Sequence, residues 1–189
     1  MQIKINQRPV QCQSEENLLS LLRSQGEAPP SLCSREGLKN ISVCRLCIVE
    51  VGEERKVLQA CQIKTSPELS VFTDSPRLRQ LRKTLMEMIL TEHGQWHSQG
   101  CEVCSLAREL GAIPKIRNIE TQPKVLNDYL IWDGKNCIHC DRCIRSCPRE
   151  DTISRPIPKE SIIMNTGNCT GCGDCVRACP AVAMVSSSL

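Results

Sequence analysis

Cys137-Ile138-His139-Cys140-Asp141-Arg142-Cys143-Ile144-Arg145-Ser146-Cys147-Pro148 is repeated further along as Cys169-Thr170-Gly171-Cys172-Gly173-Asp174-Cys175-Val176-Arg177-Ala178-Cys179-Pro180. Both stretches read C-x2-C-x2-C-x3-C-P, the run that holds 4Fe–4S cubes, and the spacing has a physical cause. Three thiolates in one tight loop reach three irons of a cube. The fourth, expected at the start of a short helix, points the other way toward a neighbouring cube. One cube is therefore assigned to Cys137, Cys140, Cys143 and Cys179, and the other to Cys169, Cys172, Cys175 and Cys147. Zinc is the competing occupant. It needs two cysteine pairs per ion and gives no reason for three closely spaced cysteines followed by Cys-Pro, twice over. Gly171 and Gly173 let the backbone wrap close to a cluster. Ile138, Ile144, Ile153, Ile162, Ile163 and Val176 are placed to exclude water, and His139 reads as solvent-facing.

Outward from these runs, 15 cysteines in 189 residues are far more than packing requires, and only Phe72, Trp96, Tyr129 and Trp132 are aromatic. A core so poor in aromatics needs another source of stability. Disulfides belong to secreted chains, and nothing at Met1-Gln2-Ile3-Lys4-Ile5 reads as a signal peptide. In a reducing cytoplasm, the expected location, thiols stay free to ligate metal. No apolar run approaches the roughly 20 residues of a membrane span, so no transmembrane segment is expected. The net charge of +3, from 24 basic and 21 acidic residues, gives no case for nucleic acid. Arg77, Arg79, Arg82 and Lys83 sit close together but read as the solvated face of a helix.

Three regions are expected: 1–76, 77–124 and 125–189. In the first, Ile3–Ile5 and Val10–Cys12 form a hairpin around residues 6–9. Ser14 offers an N-cap to a helix carrying Leu18, Leu19, Leu21 and Leu22, which Gly26 ends. Residues 48–51, 56–60 and 69–72 are further strands, giving a small α+β domain. In the middle region, Asp74 or Ser75 caps a helix with Pro76 near its first position. Leu78, Leu81, Leu85, Met88 and Ile89 supply its buried face. Met86 and Met88 read as core or surface filler. Pro114 and Pro123 bracket a linker. In the last region Pro148, Pro156, Pro158 and Pro180 exclude long helices, and residues 186–189 form a frayed tail.

Cys33-x10-Cys44-x2-Cys47-x13-Cys61 lies in the first region. One loop ligand, a close pair and a distant fourth suit a flat 2Fe–2S rhomb, each iron of which needs two thiolates. Gly37 allows the loop to turn. A zinc ribbon is the alternative, but its two C-x2-C knuckles are absent.

Ser31-Leu32-Cys33-Ser34-Arg35-Glu36-Gly37 followed by Cys44-Arg45-Leu46-Cys47-Ile48-Val49-Glu50-Val51 resembles the N-terminal segment of the large iron–sulfur subunit of respiratory complex I. It looks most like the short relatives of that subunit: the diaphorase iron–sulfur subunit of NAD-linked bidirectional nickel–iron hydrogenases, with matching parts of NAD-linked formate dehydrogenases and iron-only hydrogenases. The resemblance implies an α+β fold: an N-terminal β-grasp 2Fe–2S ferredoxin-like domain, a helical middle segment, and a C-terminal bacterial two-cluster 4Fe–4S ferredoxin-like domain. That family usually has glycine two residues before the second cysteine, where this chain has Ser42.

Family members also carry a further 4Fe–4S cluster on C-x2-C-x5-C with an upstream histidine. Here Cys101-x2-Cys104 is present, but the position six after Cys104 is Leu110. His93 and His97 precede the pair. Three readings stay open. His93 and His97, one helical turn apart, can face one ion and make a Cys2His2 zinc site with Cys101 and Cys104. A cube can persist on an unusual fourth ligand. Or the site is degenerate. Cys12, in an alternating strand, reads as a buried small hydrophobe.

Clusters pass single electrons and transfer no hydride, and the sequence has no G-x-G-x-x-G fingerprint. The expectation is a non-catalytic electron-transfer subunit of an NAD(P)-linked oxidoreductase carrying one 2Fe–2S and two 4Fe–4S clusters. The resemblance implies a flavin-containing NAD(P)-binding partner on one side and a catalytic metal-containing subunit on the other. Hydrogenase is the first expectation for the latter, then formate dehydrogenase, then a tungsten- or molybdenum-dependent aldehyde oxidoreductase. Ferredoxin is a further partner if electrons are bifurcated. The alternative is a stand-alone ferredoxin moving between enzymes.

Overall fold

The computed structural model describes residues 1–113, 122–157 and 161–187. Pro114 of the expected linker, Pro158, and Ser188 and Leu189 of the expected tail lie outside the described residues. The chain divides into two compact units, Met1–Glu36 with Asn40–Met86, and Gly37–Lys39 with Glu87–Leu189. The stretch expected as a middle region is thus divided at Met86.

In the first unit, β1 (Gln2–Ile5) and β2 (Arg8–Gln11) pair antiparallel from Gln2↔Gln11 to Ile5↔Arg8. Asn6 and Gln7, at φ 49° and 68°, make a two-residue turn whose left-handed backbone suits the twist of the strands. Pro9 is tolerated because β2 is an edge strand. Helix α1 (Leu18–Ser24) buries Leu18, Leu19, Leu21 and Leu22. Its cap is Asn17, whose side chain accepts from Ser20 N, and not Ser14 as expected. The helix begins three residues later than Ser14 could serve. Gly26, at φ 69°, closes it with paired bonds, Gly26 N to Arg23 O and Glu27 N to Leu22 O.

Strands β3 (Ile48–Val51), β4 (Lys56–Gln59) and β5 (Ser70–Phe72) complete a sheet of order β2-β1-β5-β3-β4, with β5 parallel to β1 and antiparallel to β3. This mixed sheet with α1 across it is the expected β-grasp. Its core includes Ile3, Ile5, Leu18, Leu22, Val49 and Val71. Cys12 follows β2 and is only partly buried against that core.

Helix α2 (Pro76–Leu90) is capped by Ser75, whose hydroxyl accepts from Leu78 N. Its buried residues are Leu78, Arg82, Met86 and Leu90, four apart, while Leu81 and Met88 are exposed. Arg82 does not lie on a solvated face as expected. Its guanidinium is buried and donates to Ile48 O at 2.6 Å and Thr73 O at 2.7 Å.

The second unit contains α3 (Glu102–Glu109) and a duplicated motif. Strand β7 (Leu130–Trp132), a cysteine loop, α4 (Arg142–Arg145) and β8 (Ile153–Ser154) form the first copy. Strand β9 (Ile163–Met164), a second cysteine loop, α5 (Asp174–Ala178) and β10 (Met184–Ser186) form the second. Each copy pairs with the other, β7 with β10 and β8 with β9, and β6 (Lys124–Asn127) adds an edge beside β7. Ser186 and Ser187 are therefore not frayed: Ser186 pairs with Leu130, and Ser187 N donates to Tyr129 O. No helix among the described residues is long and apolar enough to cross a membrane.

Candidate metal centres

The loop between α1 and β3 carries Cys33, Cys44 and Cys47, and Cys61 follows β4 in a short 3-10 turn. All four are buried. They stand as two adjacent thiol pairs, Cys33 beside Cys44 and Cys47 beside Cys61. The side-chain hydrogen bond with Cys33, then burial, raises the Cys44 thiol; the bond with Cys61, then burial, raises that of Cys47. Cys61 is lowered to about 6, first by its bond with Cys47 and, further down, by Ser42. Two pairs of thiols are what a two-iron rhomb needs, and such crowding favours cations between them. Around them, Asn17 Nδ2 and Asn40 Nδ2 both donate to Cys61 O, and Leu32 N donates to Cys44 Sγ at 3.5 Å. Ser42 lies at φ 58°, a backbone that glycine adopts most easily, and its hydroxyl is 3.0 Å from Cys61 Sγ.

In the second unit two cavities each gather four cysteines drawn from both runs. One is lined by Cys137, Cys140, Cys143 and Cys179 with Trp132, Ile162 and Met184. The other is lined by Cys147, Cys169, Cys172 and Cys175 with Leu130, Ile153 and Met164. The crossing follows from the short helices. The third cysteine of each run lies inside a helix, and the fourth comes just after it, not at a helix start as expected. Cys179 is the C-cap of α5, and Cys147 follows Ser146, the C-cap of α4. Pro148 and Pro180 then prevent the helices from continuing.

The two loops share their left-handed positions. Gly171 and Gly173, at φ 69° and 76°, correspond to His139 and Asp141, at 54° and 51°. The first loop thus makes with side-chain-bearing residues a path that the second makes with glycine. His139 is half-buried, whereas Ile163, expected to exclude water, is exposed.

Burial pushes the Cys140 thiol up to about 12 and Cys175 up to about 11, and it also raises Cys143 and Cys179. Buried thiols of this kind ionise when a metal is present to take the thiolate. Arg155 is a residue that sequence reasoning misses. Its buried guanidinium bonds Asp141 Oδ1 at 2.8 Å and reaches Cys137 Sγ at 3.6 Å. Nothing in the cysteine spacing announces it, because it lies just beyond β8, far along the chain from the cysteine it meets.

His93, Cys101 and Cys104 form a third, smaller group. All three are buried, with ligand atoms within 4.8 Å of one another, and among the described residues no other His, Cys, Asp or Glu trio is so close. His93 Nε2 lies 3.5 Å from Cys101 Sγ and 3.4 Å from Cys104 Sγ. Its Nδ1 is 2.9 Å from Asn136 O, so Nδ1 carries the proton and Nε2 offers its lone pair to the group. Burial lowers the basicity of His93 and pushes the Cys101 thiol up to about 12. His97 is not one helical turn from His93, because α2 ends at Leu90. It stands beside the group, its ring centroid 5.5 Å from that of His93 and its backbone N–H donating to Cys104 Sγ at 3.3 Å.

Residues 1–76 match the 2Fe-2S iron-sulfur cluster binding domain, and residues 129–181 match the 4Fe-4S dicluster domain. An NADH-quinone oxidoreductase subunit of Rhizobium meliloti (strain 1021) is 22% identical over 161 residues, covering 78% of this chain and 18% of that protein. The mitochondrial NADH-ubiquinone oxidoreductase 78 kDa subunit of Candida albicans (strain SC5314 / ATCC MYA-2876) is 24% identical over 161 residues, covering 77% of this chain and 22% of that protein. The chain thus spans about a fifth of the length of these relatives. A crystal structure of an NAD+-reducing nickel–iron hydrogenase in its H2-reduced state has the same fold, with a TM-score of 0.81 and 22% identity over 99% of this chain and 87% of that one. One chain thus matches a 2Fe-2S iron-sulfur cluster binding domain in its first part and a 4Fe-4S dicluster domain in its last, and it is similar to subunits of NADH-quinone and NADH-ubiquinone oxidoreductases.

Proposed function

We propose that the chain relays single electrons as the iron–sulfur subunit of an NAD(P)-linked oxidoreductase. The observation that carries this is the pair of cavities, each lined by four cysteines from two loops. One cavity takes a 4Fe–4S cluster on Cys137, Cys140, Cys143 and Cys179, the other on Cys169, Cys172, Cys175 and Cys147. The thiol pairs Cys33/Cys44 and Cys47/Cys61 take a 2Fe–2S cluster, and a single metal ion at His93, Cys101 and Cys104 completes the complement. Bound clusters supply one-electron redox chemistry. The chain's residues supply thiolates, a largely apolar wall around Cys137, Cys140 and Cys143, and the donors Ser42 and Arg155 beside ligand sulfurs.

Two-electron chemistry then belongs to partners in the cytoplasm. These are a flavin-containing NAD(P)-binding subunit and a catalytic metal subunit, with hydrogenase first because of the structural likeness. Formate dehydrogenase or a tungsten- or molybdenum-dependent aldehyde oxidoreductase follows, and ferredoxin is a further partner in a bifurcating complex. Anaerobic purification with metal and sulfide analysis tests the reading. It expects about ten irons per chain, as two, four and four, with matching sulfide and reducible EPR signals. Zinc without iron or sulfide overturns it. Co-purification with a flavoprotein at fixed stoichiometry supports the subunit role, whereas iron-loaded chain recovered alone makes it a free carrier.

A further inference from the structure

We propose that His93, Cys101, Cys104 and His97 bind one zinc ion, and that this ion is a redox-silent buttress for the cluster held by Cys137, Cys140, Cys143 and Cys179. The inference rests on the cluster assignment above and assigns the neighbouring site a distinct occupant and task.

The distances point to one ion and not a cube. Two ligands of a tetrahedral zinc, with Zn–S near 2.3 Å and Zn–N near 2.0 Å, stand about 3.5 Å apart. His93 Nε2 lies at 3.5 and 3.4 Å from the two sulfurs. Ligands of a cube bind different irons at separate corners and diverge. No three of the eight cysteines around the two cavities come within 4.8 Å of one another, unlike this trio. The sequence agrees, since Leu110 occupies the place where a third thiolate of a cube would be needed. For the fourth ligand, His97 stands next to the trio, outside the 4.8 Å group but with its ring centroid 5.5 Å from that of His93. Its Nε2 is buried and has no hydrogen-bond partner, a costly arrangement that coordination would relieve. Two thiolates neutralise the ion, and four protein ligands leave no open position, so the site is structural.

The buttressing follows from what the small site is tied to. His93 Nδ1 is bonded to Asn136 O, immediately before Cys137. Val103, between the two ligand cysteines, donates its N–H to Pro180 O, immediately after Cys179. Glu102 receives two bonds from the buried Arg142, which lies between Cys140 and Cys143, at 2.6 and 3.0 Å. These three ties anchor every segment of the first cavity's cysteine set to the small site. Removing the ion would therefore loosen that cavity before the other.

The full chain, purified anaerobically with its clusters, is compared with His93→Ala, Cys104→Ser and His97→Ala by metal analysis and EPR. Wild type is expected to hold one zinc beside its iron, with X-ray absorption at the zinc edge showing two sulfur and two nitrogen neighbours. Each variant is expected to lose the zinc, to keep the 2Fe–2S signal as an internal standard of folding, and to shift or lose the signal of the first cube alone. Wild type with four extra irons in place of zinc, or with neither, overturns the zinc assignment while leaving the cluster reading intact. Undiminished zinc in His97→Ala overturns the fourth ligand. Loss of zinc with an unchanged first cube overturns the buttress.

Discussion

Ser42 is the residue whose chemistry most directly meets a buried cysteine sulfur of the first unit. Its hydroxyl, 3.0 Å from Cys61 Sγ, stabilises negative charge on that sulfur and therefore the reduced state of a cluster bound there. Losing one such bond, worth about 1 kcal/mol, lowers a one-electron potential by about 40 mV. Ser42→Ala and Ser42→Gly should both show that drop in an EPR-monitored titration. Only the glycine variant also relieves the left-handed backbone at φ 58°. An unchanged potential in both would remove Ser42 from the tuning of the site. His139 tests the same conformation in the second unit. Its counterpart in the repeat is Gly171, so His139→Gly should stabilise the holoprotein by about 1 kcal/mol in thermal melts. A lower melting temperature would show that the imidazole compensates for the backbone cost.

Helix α2 shows how far an element can be read from its sequence. Its start is legible, since Ser-Pro and an apolar run fix a cap and a first turn. Its buried face is not, because a charged residue reads as surface. Arg82 lies four residues from both Leu78 and Met86 and satisfies carbonyls at Ile48 and Thr73, partners that no periodicity can reveal. Arg82→Met should therefore cost about 3 kcal/mol in urea denaturation by leaving both carbonyls unpaired, while a loss below about 1 kcal/mol would mean water replaces the guanidinium. Asp74, at the same helix end, carries a pH signature. The hydrogen bond from Arg79 holds its carboxyl below the ordinary value of 3.8. Its stabilisation is present above that value and disappears as pH falls through the lowered one. Asp74→Asn should thus be less stable than wild type near neutral pH and equal to it in strong acid; a constant deficit would point to packing instead. That the cysteines gather in fours is legible for the opposite reason, since their number and spacing are local. The group of His93, Cys101 and Cys104 is half legible. Cys101 and Cys104 are a local pair, but the position of His97 depends on α2 stopping at Leu90.

At the scale of the whole chain, the two units are expected to depend on metal to different degrees. The first has an apolar core of its own in Ile3, Ile5, Leu18, Leu22, Val49 and Val71, apart from its cysteine loop. In the second, buried apolar residues such as Val103, Trp132, Ile162 and Met184 are interleaved with the cysteines, and two cysteine-lined cavities and very short helices lie among them. Hydrogen exchange of chain stripped of metal should find β1 to β5 still protected and β7 to β10 exchanging freely. Equal loss in both would show that the sheet of the first unit also depends on its cluster. The crossed arrangement of Cys147 and Cys179 has one more consequence. Each half of the duplication is an incomplete vessel whose missing wall is built by its sibling, so injury to one loop leaks from the opposite chamber. Neither half, taken alone, closes a chamber of four cysteines.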